Sequence, residues 1–225
     1  KMVGRSMADI YNIRHQKPGE EILKVCNLYG DRFRDVSFSL HKGEILGFFG
    51  LVGAGRSEVM RGIFGAEKLY SGEIFISGEK VKIKSVKDAM MHKIGFLTED
   101  RRTDGLALSQ SVELNINMYS YDLISRFGFI NLKKERDRAL KYKEKIRIKT
   151  PNVQQVVNYL SGGNQQKVVI SKLLCRDPDI LIFDEPTVGI DVGAKEEIFK
   201  LIESLVEQGK GVIIISSYLP EVMGL

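Results

Sequence analysis

Residues 45–58 read ILGFFGLVGAGRSE. Ile45–Phe49 is a continuous apolar run of strand length, set off by the turn His41-Lys42-Gly43-Glu44, and reads as a buried strand. Glycines follow at 50, 53 and 55, then Ser57, and residues 58–64 have helical spacing. A strand, a glycine loop and a helix N-terminus in that order form a phosphate cradle. Backbone N–H groups point inward, and the helix end adds positive potential. The stretch fits GxxxxGK[ST] at every position except Arg56, where lysine is expected. Gly50, Gly53, Ala54, Gly55, Arg56, Ser57 and Glu58 are therefore the candidate nucleotide-binding residues, against the plainer alternative of a chance glycine turn. Arginine keeps the positive charge but is bulkier and planar, so it does not nestle as an ammonium does.

The neighbouring segments extend the pattern. Ile22–Tyr29 and Asp35–Leu40 alternate as half-buried strands do, and Glu73–Ser77 and Lys93–Thr98 read as further short strands. Ile180–Phe183 and Val212–Ser216 are buried runs, separated by a helix over Gly193–Gln208 that Gly209 stops. Buried strands alternating with helices predict an α/β fold with a mostly parallel sheet covered on both faces. The middle differs: Ser111–Tyr119, Lys133–Ile148 and Gly163–Cys175 read as helices parted by loops rich in Gly, Asn and Ser.

Composition narrows the class. At 225 residues the chain is long enough for one or two domains with a sizeable core. Cys26 and Cys175 are too few and too isolated for a disulfide scaffold or a zinc site. No apolar run reaches the roughly 18 residues of a membrane-spanning helix, and no signal peptide is visible. The chain opens at Lys1, so a fragment of a longer polypeptide is expected. Much of the net charge of +5 comes from residues 133–149. That run reads as a solvated helix with Leu140, Ile146 and Ile148 on one buried edge. With Tyr142 as its single aromatic, it lacks the platform expected of a nucleic-acid surface.

Two further stretches carry chemistry. Asp184 and Glu185 emerge at the C-terminal end of the Ile180–Phe183 strand, where α/β proteins bind ligands. There Asp184 can hold Mg²⁺ beside the Ser57 hydroxyl, and Glu185 can act as base toward an attacking water. Upstream lies Leu160-Ser161-Gly162-Gly163-Asn164-Gln165-Gln166. Ser161 suits a helix N-cap, and two glycines free the backbone to approach a phosphate.

This third stretch resembles the signature of ABC-transporter ATPases. Asp184-Glu185-Pro186-Thr187 with Gly189-Ile190-Asp191 resembles the same family's D-loop region. The resemblance runs from about Glu21 to Met223. It is closest to the second cassette of sugar-importer ATPases that fuse two cassettes in one polypeptide, with MVGR at Met2–Arg5 closing the first. It implies a P-loop NTPase core with an antiparallel β edge region and an inserted helical subdomain. On that scheme residues 1–20 are a linker and 21–225 the ATPase domain, with its core at 21–106 and 177–225 and its helical subdomain at 107–176. It implies ATP and Mg²⁺ as cofactors. The implied partners are a second cassette, a transmembrane permease dimer and, indirectly, a sugar-binding protein, at the cytoplasmic face of the membrane.

The resemblance also marks departures. The family's loop lysine, its glutamine after the Ile94–Thr98 strand and its histidine after the last core strand correspond to Arg56, Glu99 and Ser217. Glu99 becomes a candidate metal ligand, and Ser217 is too short for the histidine's phosphate contact. The signature (Ser161, Gly162, Gly163, Gln165) looks intact and is expected to serve a partner cassette, and Asp191 marks the D-loop position. The expectation is a domain that holds nucleotide well and cleaves it poorly. Tyr29 and Phe33 are both candidates to stack on adenine. The segment from Glu99 to Leu106 is expected to face the permease through Arg101 and Arg102. The alternatives are a non-hydrolysing ATP-binding module, or a soluble ABC protein acting on ribosomes or nucleic acid.

Overall fold

The two sequence periods, alternating and continuous, become two different sheets. The computed structural model describes residues 17–51 and 53–224; Met2–Arg5, His15 and most of the expected linker lie outside them. In chain order the strands and helices are β1 (Glu21–Tyr29), β2 (Val36–His41), β3 (Ile45–Phe49), α1 (Arg56–Ile63), β4 (Ser71–Ile76), β5 (Glu79–Val81), α2 (Val86–Met91), β6 (Ile94–Leu97), α3 (Val112–Asn117), β7 (Ser125–Arg126), β8 (Phe129–Ile130), α4 (Leu132–Lys145), α5 (Gly162–Leu174), β9 (Ile180–Asp184), α6 (Val192–Glu207), β10 (Gly211–Ser216) and α7 (Leu219–Met223). A single π turn spans Arg101–Gly105.

The chain divides into two compact units. The first holds the segments up to Phe96, Pro178–Pro186 and Phe199 onward. The second holds Leu97–Asp177 and Thr187–Ile198. The helical middle expected at 107–176 falls in the second, together with residues 97–106 and 187–198.

In the first unit, the alternating strands form an antiparallel sheet ordered β2-β1-β4-β5, and the apolar runs form a sheet ordered β3-β10-β9-β6. Strand β10 pairs parallel with both β3 and β9. Helix α1 puts Val59, Met60 and Ile63 into the same apolar core as Ile22, Leu28 and Leu40 of the antiparallel sheet and Ile182 and Ile213 of the parallel one. Every residue of β9 and β10 is buried, as their sequences predict. The reading of Ile45–Phe49 as fully buried is corrected. β3 is an edge strand, only half-buried, and Phe49 at its end is exposed. Gly209, with φ 83°, ends α6 in the left-handed turn that favours glycine.

In the second unit, α3 packs on both α4 and α5. The helix expected over 133–148 is α4, but its buried residue is Ala139 rather than Leu140. The helix ends at Lys145, so Ile146 and Ile148 are buried just beyond it, on a backbone that has left the helical period. Several elements have no counterpart in the sequence reading: β5, α7, α2, capped by Ser85 accepting from the Asp88 N–H, and the β7–β8 hairpin.

Candidate nucleotide-binding site

The first unit gathers most of the phosphate-loop residues at the C-terminal ends of β3, β9 and β10, the end where α/β sheets bind ligands. Gly55 is the N-cap of α1, with φ 85°. A Cβ there would lie 2.7 Å from the Arg32 carbonyl oxygen, so both conformation and space demand glycine. Helix α1 begins at Arg56, and Arg56 Nη1 donates to the Ser216 carbonyl at the end of β10, 2.7 Å away. The arginine stem passes Gly50, where a Cβ would stand 3.4 Å from Arg56 Cδ. Arg56 thus ties its own loop to the C-terminal end of an interior strand, a contact that a guanidinium donor makes well.

Ser57 Oγ donates to Asp184 Oδ1 at 3.0 Å, and Asp184 is fully buried. Glu185 follows with φ 46°, a left-handed conformation uncommon for glutamate and of the kind held in place at functional sites. Its backbone N–H donates to the Ile215 carbonyl (3.0 Å), and its Oε1 accepts from the Ser217 backbone N–H (2.6 Å). The position expected to carry the family's histidine therefore engages the candidate base through the main chain.

Gly53 (φ 83°) and Ala54 lie on the exposed side of the loop, where the Ala54 N–H donates to the Leu51 carbonyl. Glu58 pairs with Arg32 at 3.0 Å instead of facing the loop. Phe33 is a core residue, packed where Gly30 and Gly62 leave room for its ring; that use withdraws it as an adenine platform. Tyr29, half-buried at the end of β1, keeps the candidacy.

A divalent cation fits the donor set. A serine hydroxyl and a carboxylate oxygen 3.0 Å apart are hard oxygen donors of the kind Mg²⁺ prefers. Among the described residues no cluster of three or more His, Cys, Asp or Glu side chains competes with them. A cavity of about 500 Å³ elsewhere in this unit, between Gly65–Tyr70 and Val81–Lys84, contains none of these residues, so chemistry rather than volume identifies the site.

The second unit carries the signature turn. Ser161 caps α5 by position, yet its hydroxyl does not cap a backbone N–H. It accepts instead from Asn164 Nδ2 at 2.9 Å, which corrects the N-cap expectation. Asn164 in turn accepts from the Lys149 N–H. Both signature glycines are required by packing. A Cβ on Gly162 would lie 2.8 Å from the Gly189 carbonyl oxygen, and one on Gly163 would lie 2.4 Å from the Ala194 Cβ. Gln165 is buried and donates to the Val157 carbonyl. Asp191 accepts from the Ala194 N–H at 3.0 Å. A cavity of about 240 Å³ opens here, lined by Lys149, Ser161, Gly163, Asn164, Asp191 and Glu197.

Several contributors were not evident in the sequence. Arg101, expected to face a partner, is committed inside this unit: Nη1 donates to the Val188 carbonyl (2.7 Å) and Nη2 to the Gly189 carbonyl (3.0 Å). Burial lowers the Arg101 guanidinium below its ordinary value. Lys167, on the inner face of α5, reaches Glu197 Oε2 at 2.5 Å and holds that carboxyl below its usual range. Glu99 is exposed and belongs to this second unit. Arg102 is exposed apart from a long contact to Asn158. In the first unit, Ser216 serves through its carbonyl, which no side-chain pattern reveals.

Comparison with known proteins bears on this geometry. The family model described as ABC transporter matches residues 33–188. A ribose import ATP-binding protein of Rubrobacter xylanophilus is 48% identical over 225 residues, covering 100% of this chain and 45% of that protein. An Agrobacterium fabrum protein, provisionally named as a ribose/galactose/methyl galactoside import ATP-binding protein, is 50% identical over 228 residues and is covered to 45% of its length. The chain thus spans less than half the length of the curated relatives it matches. Among solved structures, a nucleotide-free ATP-binding cassette from an ABC transporter superposes with a TM-score of 0.77 at 22% identity, over 91% of this chain and 84% of that one. A cassette bound to ADP and Pi superposes with a TM-score of 0.72 at 22% identity, over 90% of this chain and 91% of that one. The chain belongs to the ABC transporter family, and its fold is that of the family's ATP-binding cassettes.

Proposed function

We propose that the chain is the second ATP-binding cassette of a longer sugar-import ATPase, with residues 1–20 as the linker and 21–225 as the cassette. It works at the cytoplasmic face of the membrane with a permease dimer and, indirectly, a sugar-binding protein. The relatives' names, ribose import and ribose/galactose/methyl galactoside import, support the substrate class. The observation that carries the site is the Ser57–Asp184 pair at the head of the glycine loop.

In this reading the loop N–H groups and Arg56 hold the phosphates of ATP. Ser57 and Asp184 hold Mg²⁺, which supplies charge neutralisation at the phosphates. Glu185 accepts the proton of the attacking water. Two observations favour slow cleavage at this site. Arg56 already donates to a strand carbonyl, and Glu185 already accepts from the Ser217 amide. Each group thus meets substrate with one of its hydrogen-bonding atoms, Nη1 or Oε1, already engaged. Phosphoryl transfer depends on positioned charge, so such diversion lowers rate more than binding.

The signature turn serves the partner cassette. Ser161 and the Gly162–Gly163 backbone face the partner's nucleotide at the positive end of α5. The experiment is steady-state ATPase of Ser161→Arg and Glu185→Gln in the assembled transporter. Ser161→Arg removes most turnover, because a bulky cation blocks the approach of the two cassettes, whereas Glu185→Gln costs much less. Equal damage from both would mean equivalent sites and refute the relaxed-site reading. A non-hydrolysing ATP-holding module is separated by single-turnover cleavage with the intact chain: any product at the bound nucleotide excludes it.

A further inference from the structure

The β7–β8 hairpin of the second unit displays apolar side chains that its own fold does not use. Phe127 is 86% exposed and Phe129 81%. Leu123, Ile130 and Leu132 on either side are also exposed, so five large apolar residues crowd ten positions. Exposed apolar residues scattered singly are ordinary, but a contiguous group marks a surface that is covered in use.

The turn itself sharpens the point. Phe127 (φ 52°) and Gly128 (φ 81°) both adopt left-handed conformations, as a two-residue hairpin turn requires. Asn-Gly would fill that turn with little strain and full solubility. Phenylalanine there is disfavoured by its backbone and by water together. Burial against another phase offsets both.

The charge around the hairpin indicates which phase. The Arg126 guanidinium lies over the Phe127 ring, 5.2 Å from its centroid. Helix α4 starts directly after β8 and carries seven Lys and Arg against three Asp and Glu. That excess accounts for most of the chain's net charge of +5. Two of the nearby acids are engaged: Asp122 pairs with Arg176 at 2.7 Å, and Glu135 accepts from the Tyr121 hydroxyl at 2.5 Å. The hairpin is thus an exposed apolar tip with the exposed cations Arg126, Lys133 and Lys134 close to it in the chain. A protein partner would need a matching pocket. A fluid interface with anionic headgroups needs none, and it rewards this combination of aromatic tip and basic surround.

We propose that the hairpin is a membrane-surface anchor. Phe127 and Phe129 sink to the boundary between headgroups and acyl chains. Arg126, Lys133 and Lys134 lie against the phosphates of anionic lipid, their stems following the apolar surface as long cationic side chains do. The contact adds a lipid attachment to whatever protein contacts hold the cassette at the membrane, and it does not depend on the state of the nucleotide site.

The test is flotation of the intact chain with vesicles of phosphatidylcholine alone or mixed with phosphatidylglycerol. Association with the anionic vesicles is expected, weakened by salt and much lower on phosphatidylcholine. The double substitution Phe127→Asn and Phe129→Thr suits the turn and the strand, and it should lower association at least about tenfold. Lys133→Glu with Lys134→Glu should remove the preference for anionic lipid. The chain has no tryptophan, so Phe129→Trp supplies a single reporter whose emission should shift to the blue on anionic vesicles and be quenched by brominated acyl chains. An unshifted emission, equal association of the double variant, or binding only to vesicles that contain the permease would overturn the proposal. The last result would assign the hairpin to a protein partner.

Discussion

Gly163→Ala is a one-methyl change whose cost follows from a single distance. The added Cβ would lie 2.4 Å from the Ala194 Cβ, more than an ångström inside ordinary carbon contact. Neither methyl has a rotatable end, so relief requires the backbones at the starts of α5 and α6 to separate. Overpacking of this kind costs about 1–3 kcal/mol. Replacing glycine in a helix returns up to about 1 kcal/mol, less here because the residue sits in the first turn. The net expectation is a destabilisation of about 1–2 kcal/mol, or a fall in Tm of about 2–8 °C for a chain of this size. The decisive assay is a double-mutant cycle with Ala194→Gly, read by urea denaturation. Ala194→Gly alone costs up to about 1 kcal/mol of helix propensity, less here because it too sits in a first turn. Combined with Gly163→Ala it removes the clash, so the double variant should be more stable than the sum of the singles by about 1–2 kcal/mol. A Gly163→Ala protein as stable as the parent, with no coupling to Ala194→Gly, would refute the claim that packing demands this glycine.

Other expectations follow from the same geometry. Arg56→Ala should cost about 1 kcal/mol of stability through the lost bond to the Ser216 carbonyl. It should also weaken Mg·ATP binding, whereas Arg56→Lys keeps binding and raises the single-turnover rate; calorimetry and quench-flow read these. Burial pushes the Lys172 ammonium from 10.5 down to about 8, although it donates to the Gly105 carbonyl and lies 4.2 Å over the Tyr119 ring. Between about pH 8 and 10.5 the unfolded chain therefore binds more protons at this residue, and stability contributed there rises with pH. At about 1.4 kcal/mol per decade the full rise is about 3 kcal/mol. The stability difference between parent and Lys172→Met should change by that amount across the window, and a flat difference would contradict the assignment. Charge reversal at Arg101 should destabilise the second unit, since its guanidinium holds the Val188 and Gly189 carbonyls; Arg102→Glu should leave thermal unfolding nearly unchanged.

The parts of this molecule legible in its sequence were those with a period or a rigid geometric demand. Alternating strands, buried strands and the glycines at 53 and 55 announce themselves, because pleat, burial and positive φ each restrict the residue types allowed. The Ser57–Asp184 pairing followed from placing the glycine loop and the acidic strand end at the same edge of one sheet. What was not legible depends on tertiary position. Ile45–Phe49 reads as buried whether its strand is central or at an edge. Leu140 and Ala139 are neighbours on a helix, and only the packing partner decides which one is covered. Arg101 reads in sequence as a charge facing a permease, and only the placement of residues 188–189 beside it shows that it is engaged within its own unit. The bonds from Arg56 to the Ser216 carbonyl and from the Ser217 amide to Glu185 use main-chain atoms, which every residue possesses and no motif marks. The hairpin at 125–130 was missed because its turn is Phe-Gly rather than Asn-Gly, so the usual signal was absent.

The central claim is that this cassette keeps a working nucleotide grip built on the glycine loop, Ser57 and Asp184. Titration calorimetry of the intact chain with Mg·ATP tests it most directly, beside Ser57→Ala as the control. The account predicts saturable binding of modest affinity that falls at least about tenfold in Ser57→Ala and weakens when magnesium is chelated. A folded protein that takes up no Mg·ATP at millimolar concentration, or one whose binding is indifferent to Ser57→Ala, would contradict it.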